Sequence, residues 1–144
     1  MNERETVHAV AADLQASQNP GRVMVIDDNA DCYEFAKREA ERVGVQHVWC
    51  VSGEDALAFL DTDQDFDGFI IDEKLPLKQG HEIFPDIKLR CPKAVTALSS
   101  YFTNRDIVTG LLRQGLSMML AKPLERNNVE EFFRLVKQCR RSRV

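Results

Sequence analysis

No stretch of the 144-residue chain approaches the roughly 18 to 20 consecutive apolar residues of a membrane-spanning helix, so no membrane span is expected. The start, Met1-Asn2-Glu3-Arg4-Glu5, lacks the basic-then-apolar order of a secretory signal, and the expected location is the cytoplasm. Cysteine is scarce and dispersed: Cys32, Cys50, Cys91 and Cys139 form no C-x-x-C pair, which excludes the usual zinc and thioredoxin-like spacings. Free thiols that behave as small hydrophobes are the expectation. The three histidines, His8, His47 and His81, are equally scattered and lack ligand spacing. A surplus of positive charge is missing too. The formal net charge of -4 gives no long-range attraction to nucleic acid or anionic lipid, so neither is an expected partner. Repeats and low-complexity tracts are absent.

What is present is an ordinary globular composition, 44% hydrophobic and 29% charged, at a length suited to one domain. Four short apolar runs are each closed by polar residues: Val23-Met24-Val25-Ile26 by Asp27-Asp28, Phe69-Ile70-Ile71 by Asp72, one ending in Ser99-Ser100, and Met118-Met119-Leu120-Ala121 by Lys122-Pro123. Runs of this length bounded by turn signals read as strands buried on both faces. Helix-like segments lie between them, which predicts an α/β fold with a parallel sheet, doubly wound. In such a sheet the strand exits share one edge, and ligands bind in the crevice there. The acids, a hydroxyl and the lysine can therefore meet.

Helix signals fill the intervals. Asp31 with Glu34 is an expected cap for the first helix, with Gly44 ending it, and a second strand follows at about His47 to Val51. Ser52 with Asp55 opens the next helix. The segment from Gly80 to Arg90 should be helical, with a late start or a kink forced by Pro85. Thr103 with Asp106 is the expected cap of a helix whose inner face is Ile107, Val108, Leu111 and Leu112, ended by Gly115. Asn128 with Glu131 is the expected cap of the last helix, whose core stripe is Val129, Phe132, Phe133, Val136 and Cys139.

In the order and spacing of these elements, from about Arg22 to Val136, the chain resembles the receiver domain of two-component response regulators. Asp27 and Asp28 match that family's acidic pair, Asp72 its phospho-accepting aspartate with Pro76 and Gly80 following, Ser99 the Ser/Thr closing the fourth strand, and Lys122-Pro123 the lysine and proline closing the fifth. The resemblance implies a flavodoxin-like (βα)5 sheet in the order 2-1-3-4-5. It divides the chain into an N-terminal extension (1–21), a receiver domain (22–139) and a basic C-terminal tail (140–144).

The chemistry expected of this set follows from charge. Asp27, Asp28 and Asp72 with Lys122 sum to minus two, which should raise at least one carboxylate pKa unless a cation is present. A divalent ion cancels that sum, and all-oxygen ligands suit Mg²⁺. Asp28 and Asp72 are the expected direct ligands, with Asp27 acting through water; the carbonyl of Lys74 is a ligand implied by the family. Asp72 is then the nucleophile, with Lys122 and Ser99 neutralising the transferred phosphoryl oxygens. Pro123 resembles the proline that follows this lysine in a cis bond.

Met119 stands where the family usually carries an aromatic residue that changes rotamer on activation, and it has no ring to swing or hydroxyl to bond, which leaves the usual coupling open. Lys74 and Tyr101, two residues after Asp72 and Ser99, occupy positions that in the family flank the path of the hydrolytic water, and such bulky side chains imply slow loss of phosphate. The implied function is that of a bacterial single-domain response regulator, phosphorylated by a histidine kinase or histidine phosphotransfer protein and then contacting a downstream protein. A relay module of a hybrid kinase and an unphosphorylated adaptor are the alternatives. Outside the resemblance, Val7, Val10, Ala11 and Leu14 give residues 1–19 a helical spacing, suited to packing on the domain or on a second subunit of a homodimer, or to a frayed terminus. Arg140, Arg141 and Arg143 read as solvated charges favouring a helix C-terminus, with a basic partner patch as the alternative.

Overall fold

The structure is a computed structural model that describes residues 20–102 and 104–143. The helical spacing within residues 1–19 lies outside the described residues, as does Thr103. Five strands, β1 (Arg22–Ile26), β2 (Gln46–Cys50), β3 (Gly68–Asp72), β4 (Val95–Ser100) and β5 (Met118–Ala121), alternate with five helices. These are α1 (Ala30–Arg42), α2 (Gly53–Leu60), α3 (Gly80–Arg90), α4 (Arg105–Arg113) and α5 (Arg126–Arg141). All strand pairs are parallel and the sheet order is β2-β1-β3-β4-β5, as the resemblance implies.

Strand alternation divides the core in two. Met24, Ile26, Phe69, Ile71 and Leu98 face α2, α3 and α4, whose Ala56, Leu60, Ile83, Phe84, Ile87 and Leu111 cover them. Val23, Val25, Ile70, Ala97 and Leu120 face α1 and α5, covered by Ala36, Ala40, Val129, Phe132, Phe133 and Val136. Two-sided burial explains why β1 and β3 read as unbroken apolar runs. Cys50 and Cys91 are buried free thiols, and Cys32 and Cys139 are half-buried ones.

Several helix ends differ from the sequence expectation, because the residue that caps is the one with extended backbone rather than the one with the best motif. Asn29, not Asp31, caps α1, its Oδ1 accepting from the N–H groups of Asp31 (2.9 Å) and Cys32 (3.1 Å). Asn104 does the same for α4 in place of Thr103, accepting from Asp106 and Ile107. At α5 the cap is Glu125, and Asn128 lies inside the first turn, its Oδ1 accepting from the Glu125 N–H at 2.9 Å. Ser52 caps α2 as expected, accepting from Asp55 N–H. Helix α3 starts at Gly80, without the delay expected from Pro85, which sits inside it. Pro85 cannot donate to the His81 carbonyl, but Glu82 anchors the start by accepting from the Gln79 N–H at 3.0 Å. On α4 only Leu111 is buried; Leu112, expected inside, is 48% exposed.

One close approach fixes the loop after β3. A Cβ on Gly80 would fall on the Asp72 carbonyl oxygen and 2.9 Å from the Glu73 Cα, both backbone atoms that cannot swing aside. Gly80→Ala is therefore expected to lower the unfolding free energy by about 1–3 kcal/mol, measured as a shift of the urea midpoint. An unchanged midpoint would show that the loop yields freely.

Candidate functional site

Parallel register brings the strand exits to one edge, with Ile26 paired to Ile71, Asp72 to Ser99 and Ser100 to Ala121. One step beyond β1, Asp27 is tied to β2 by its N–H, which donates to the Cys50 carbonyl at 3.1 Å. Its carboxylate is buried. Oδ1 accepts from the Asn29 N–H at 2.9 Å, and Oδ2 accepts from the Lys122 ammonium at 3.0 Å. The same ammonium lies 3.0 Å from Asp72 Oδ1, and its side chain is only 4% exposed. A single buried cation thus bridges two buried acids contributed by β1 and β3.

Asp28 differs from its neighbour in being exposed, yet its carboxylate joins those of Asp27 and Asp72 in a group whose ligand atoms all lie within 4.8 Å of one another. A donor set of three carboxylates and no nitrogen or sulfur suits a hard divalent cation such as Mg²⁺. Burial first, and the charge of Asp27 second, push the Asp72 carboxyl up to about 6, against the opposing pull of Lys122 and the Lys74 N–H. Burial pulls Lys122 the other way, but its hydrogen bonds to Asp27 and Asp72 and their charges outweigh this, and its net direction is upward. Both shifts are those of a cluster in which negative charge exceeds positive.

A cleft of about 310 Å³ opens onto this cluster, lined among others by Asp28, Asp72, Lys74, Ser100, Tyr101 and Lys122. Two serines end β4 beside the cluster, and Ser99 is the register partner of Asp72. Ser99 is fully buried, and its hydroxyl donates to the Ile71 carbonyl at 3.5 Å; the hydroxyl at the cleft belongs to Ser100. The two-residue period of β4 gives the adjacent serines opposite faces: Ser99, paired with Asp72, shares the face of that carboxylate, and Ser100 lies on the other. Ser100 Oγ accepts from the Phe102 N–H and also donates to the Phe102 carbonyl. Tyr101, 63% exposed, holds its ring 5.6 Å from the Lys122 ammonium. Lys74 is exposed, and its N–H reaches Asp72 Oδ1 at 3.4 Å. The Lys122–Pro123 bond is cis. Met119 stays away from the cleft, half-buried against the α2–α4 side of the core.

Some contacts had no sequence signal. The Trp49 indole donates to the Asp27 carbonyl at 2.6 Å, and Glu73 accepts from both the N–H and the ring Nδ1 of His81, at 2.8 and 2.7 Å. Neither follows from a motif. Residues 23–134 match the sequence model of the response regulator receiver domain. The chain belongs to that family. No curated protein sequence is similar enough to match it.

Solved receiver domains share the fold at low identity. A response regulator receiver domain protein (CheY-like) of Methanospirillum hungatei is 17% identical, with a TM-score of 0.77, over 86% of this chain and 98% of that one. The chemotaxis protein CheY4 of Vibrio cholerae is 18% identical, with a TM-score of 0.72, over 81% and 98%. A structure described as adenylate cyclase from Rhodopirellula baltica is 21% identical, with a TM-score of 0.71, over 83% and 89%. As a receiver domain the chain is a two-component signalling module, and no helix among its described residues is long and apolar enough to cross a membrane.

Proposed function

We propose that this receiver accepts a phosphoryl group on Asp72 from the phosphohistidine of a kinase or phosphotransfer protein, and that the modified cleft then changes contacts with a downstream protein. The observation that carries this reading is the buried Lys122 ammonium held 3.0 Å from both Asp27 and Asp72 beside an open cleft. In the transfer the phosphorus–nitrogen bond of the donor breaks and a bond from an Asp72 oxygen to phosphorus forms, giving an acyl phosphate. Lys122 and the Lys74 N–H both contact Oδ1, and Oδ2 is the oxygen we assign to the attack.

Little covalent chemistry beyond this is needed, since phosphoryl transfer asks mainly for positioning and for neutralised oxygens. Lys122 supplies a point charge, Ser99 beside Asp72 on the same sheet face supplies a hydroxyl, and Ser100 lines the cleft as well. Asp27 is occupied by Lys122 and the Asn29 N–H, whereas Asp28 is open to the cleft, which fits Asp28 and Asp72 as the direct holders of Mg²⁺. The Lys74 carbonyl would complete the set, as the family implies. When bound, the ion supplies the positive charge that the cluster lacks and screens the phosphoryl oxygens.

The test is incubation of the full chain with a small phosphodonor and Mg²⁺ followed by intact-mass measurement. Wild type should gain the mass of one phosphoryl group and Asp72→Asn none. Modification that survives Asp72→Asn would reassign the nucleophile. Lifetime is a second readout. Because Tyr101 and Lys74 border the mouth of the cleft, Tyr101→Ala and Lys74→Ala are expected to shorten the life of the phosphorylated form severalfold, followed by loss of the added mass with time. Equal decay in wild type and both variants would show that neither side chain obstructs water.

A further inference from the structure

Both backbone polar groups of Asp27 are held by the edge strand β2: its N–H by the Cys50 carbonyl, its C=O by the Trp49 indole at 2.6 Å. The second bond is unusual in origin, because a side chain takes the place where the β1–β2 ladder has run out. Trp49 is itself fixed. Tyr33 of α1 stacks on it nearly parallel, with ring centroids 4.6 Å apart and an interplanar angle of 8°. The Tyr33 hydroxyl is paired with His47 Nδ1 at 2.7 Å, and His47 Nε2 with Glu41 at 3.1 Å. Indole, phenol, imidazole and carboxylate thus form a chain from the surface of α1 to the carbonyl that precedes Asp28.

That carbonyl belongs to the peptide plane joining Asp27 to Asp28, so fixing it fixes the direction in which the Asp28 side chain leaves the backbone. The direction needs fixing. Three carboxylates within 4.8 Å repel one another, and Asp28 is the exposed member with room to turn away. Asp27 is already restrained by Lys122 and Asn29, and Asp72 by Lys122 and its strand. We infer that Trp49 is a positioning residue for the Mg²⁺ site: its indole N–H, oriented by Tyr33, holds the Asp27–Asp28 peptide so that Asp28 stays turned toward Asp72. The inference rests on the reading of the acidic cluster as a cation site. It adds a residue outside the cleft on which cation affinity depends.

The test is calorimetric titration of the full chain with Mg²⁺ alone, comparing wild type with two variants. Trp49→Phe keeps a ring for Tyr33 to stack on but loses the donor. It should bind Mg²⁺ roughly tenfold more weakly, the scale found when groups supporting metal ligands are removed. Tyr33→Leu keeps the donor but not the ring that orients it, and its affinity should fall between the two. At saturating Mg²⁺ both variants should reach the wild-type maximal rate of phosphorylation, a split that general loosening of the fold would not give. Trp49 is the only tryptophan of the chain, so its emission should also change on Mg²⁺ addition to wild type. Wild-type affinity in Trp49→Phe, with wild type itself binding, overturns the inference and leaves the site reading intact. Absence of Mg²⁺ binding by wild type overturns both. If Trp49→Phe fails to fold, as judged by circular dichroism, undiminished affinity in Tyr33→Leu is the overturning result.

Discussion

Lys122→Met should cost about 3–5 kcal/mol of stability near neutral pH, and most of that loss should disappear on acidification. Methionine keeps the volume of the lysine stem, so the substitution removes charge with little change in packing. Left behind are Asp27 and Asp72, whose side chains are 3% and 6% exposed and which lose the ammonium lying 3.0 Å from each. Breaking a buried pair from one side is expensive because the remaining charge has neither water nor a partner. The sign of the pH dependence follows from Asp72. Its folded carboxyl is already raised, to about 6, by burial and then by Asp27, so the folded state binds this proton more tightly than the unfolded chain does. Such a group subtracts stability above its folded pKa and restores it as pH falls toward the unfolded value. Without Lys122 the shift grows. Urea denaturation at about pH 7.5 and about pH 5 measures it, with the gap between variant and wild type narrowing at the lower pH. A gap that is small at both values, or constant between them, would mean that the ammonium does not neutralise this cluster.

The same cluster shows how far the sequence could be read. Asp27, Asp72 and Lys122 were legible because each closes an apolar run, and a parallel sheet with right-handed crossovers sends all such ends to one edge. Their pairing was not legible, since adjacent acids compete for one cation and only depth decides between them: Asp27 is buried with Lys122, Asp28 is exposed. Ser99 and Ser100 pose a related problem, resolved by the pairing of Asp72 with Ser99. Two like residues in a row fit one motif slot equally well, and the period of the strand assigns them to opposite faces only once its register is known. Caps were misplaced by one to three residues where an Asn or Glu just outside the helix held the extended conformation, as at Asn29, Asn104 and Glu125. The bond from Trp49 to Asp27 had no chance of being read, because it joins positions 22 apart through a side chain on a strand that looks like an ordinary edge.

Met119 bears on how a modified cleft is reported to the surface. The residue fills space against the core on the α2–α4 side and has neither a ring nor a hydroxyl to exchange between two states. Under the proposed function, Ser100, which lines the cleft, is placed to carry a change outward. Its hydroxyl now binds both backbone groups of Phe102, and a phosphoryl oxygen in the cleft would compete for the same proton. Tyr101 and Phe102, 63% and 88% exposed, are the residues such competition would move, and they lead directly toward α4. With only one fully buried side chain, α4 is also the helix least anchored to the sheet.

Far from the cleft, at the opposite edge of the sheet, Arg140→Ala is expected to destabilise the domain by about 3 kcal/mol, whereas Arg141→Ala should stay within about 0.5 kcal/mol of wild type. The sequence expectation of solvated charges holds for Arg141 but not for Arg140 and Arg143, which are ion-paired. Asp67, one residue before β3, is 0% exposed, and its Oδ2 accepts from the Arg22 N–H at 2.9 Å and from Arg140 Nε at 2.8 Å. Arg140 also reaches Asp65 at 3.0 Å, and Arg143 lies 2.9 Å from the other Asp67 oxygen. Arg141 points to solvent. The arginines thus supply the counter-charge of a buried carboxylate and fasten the end of α5 to the start of β3. Asp67→Asn should cost less than Arg140→Ala, because the amide oxygen still accepts from Arg22 N–H and no charge is left buried. Introduced into Arg140→Ala, it should recover part of the loss. A double-mutant cycle by urea denaturation measures this coupling. Additive losses would show that Asp67 draws its compensation from Arg143 and the Arg22 N–H instead.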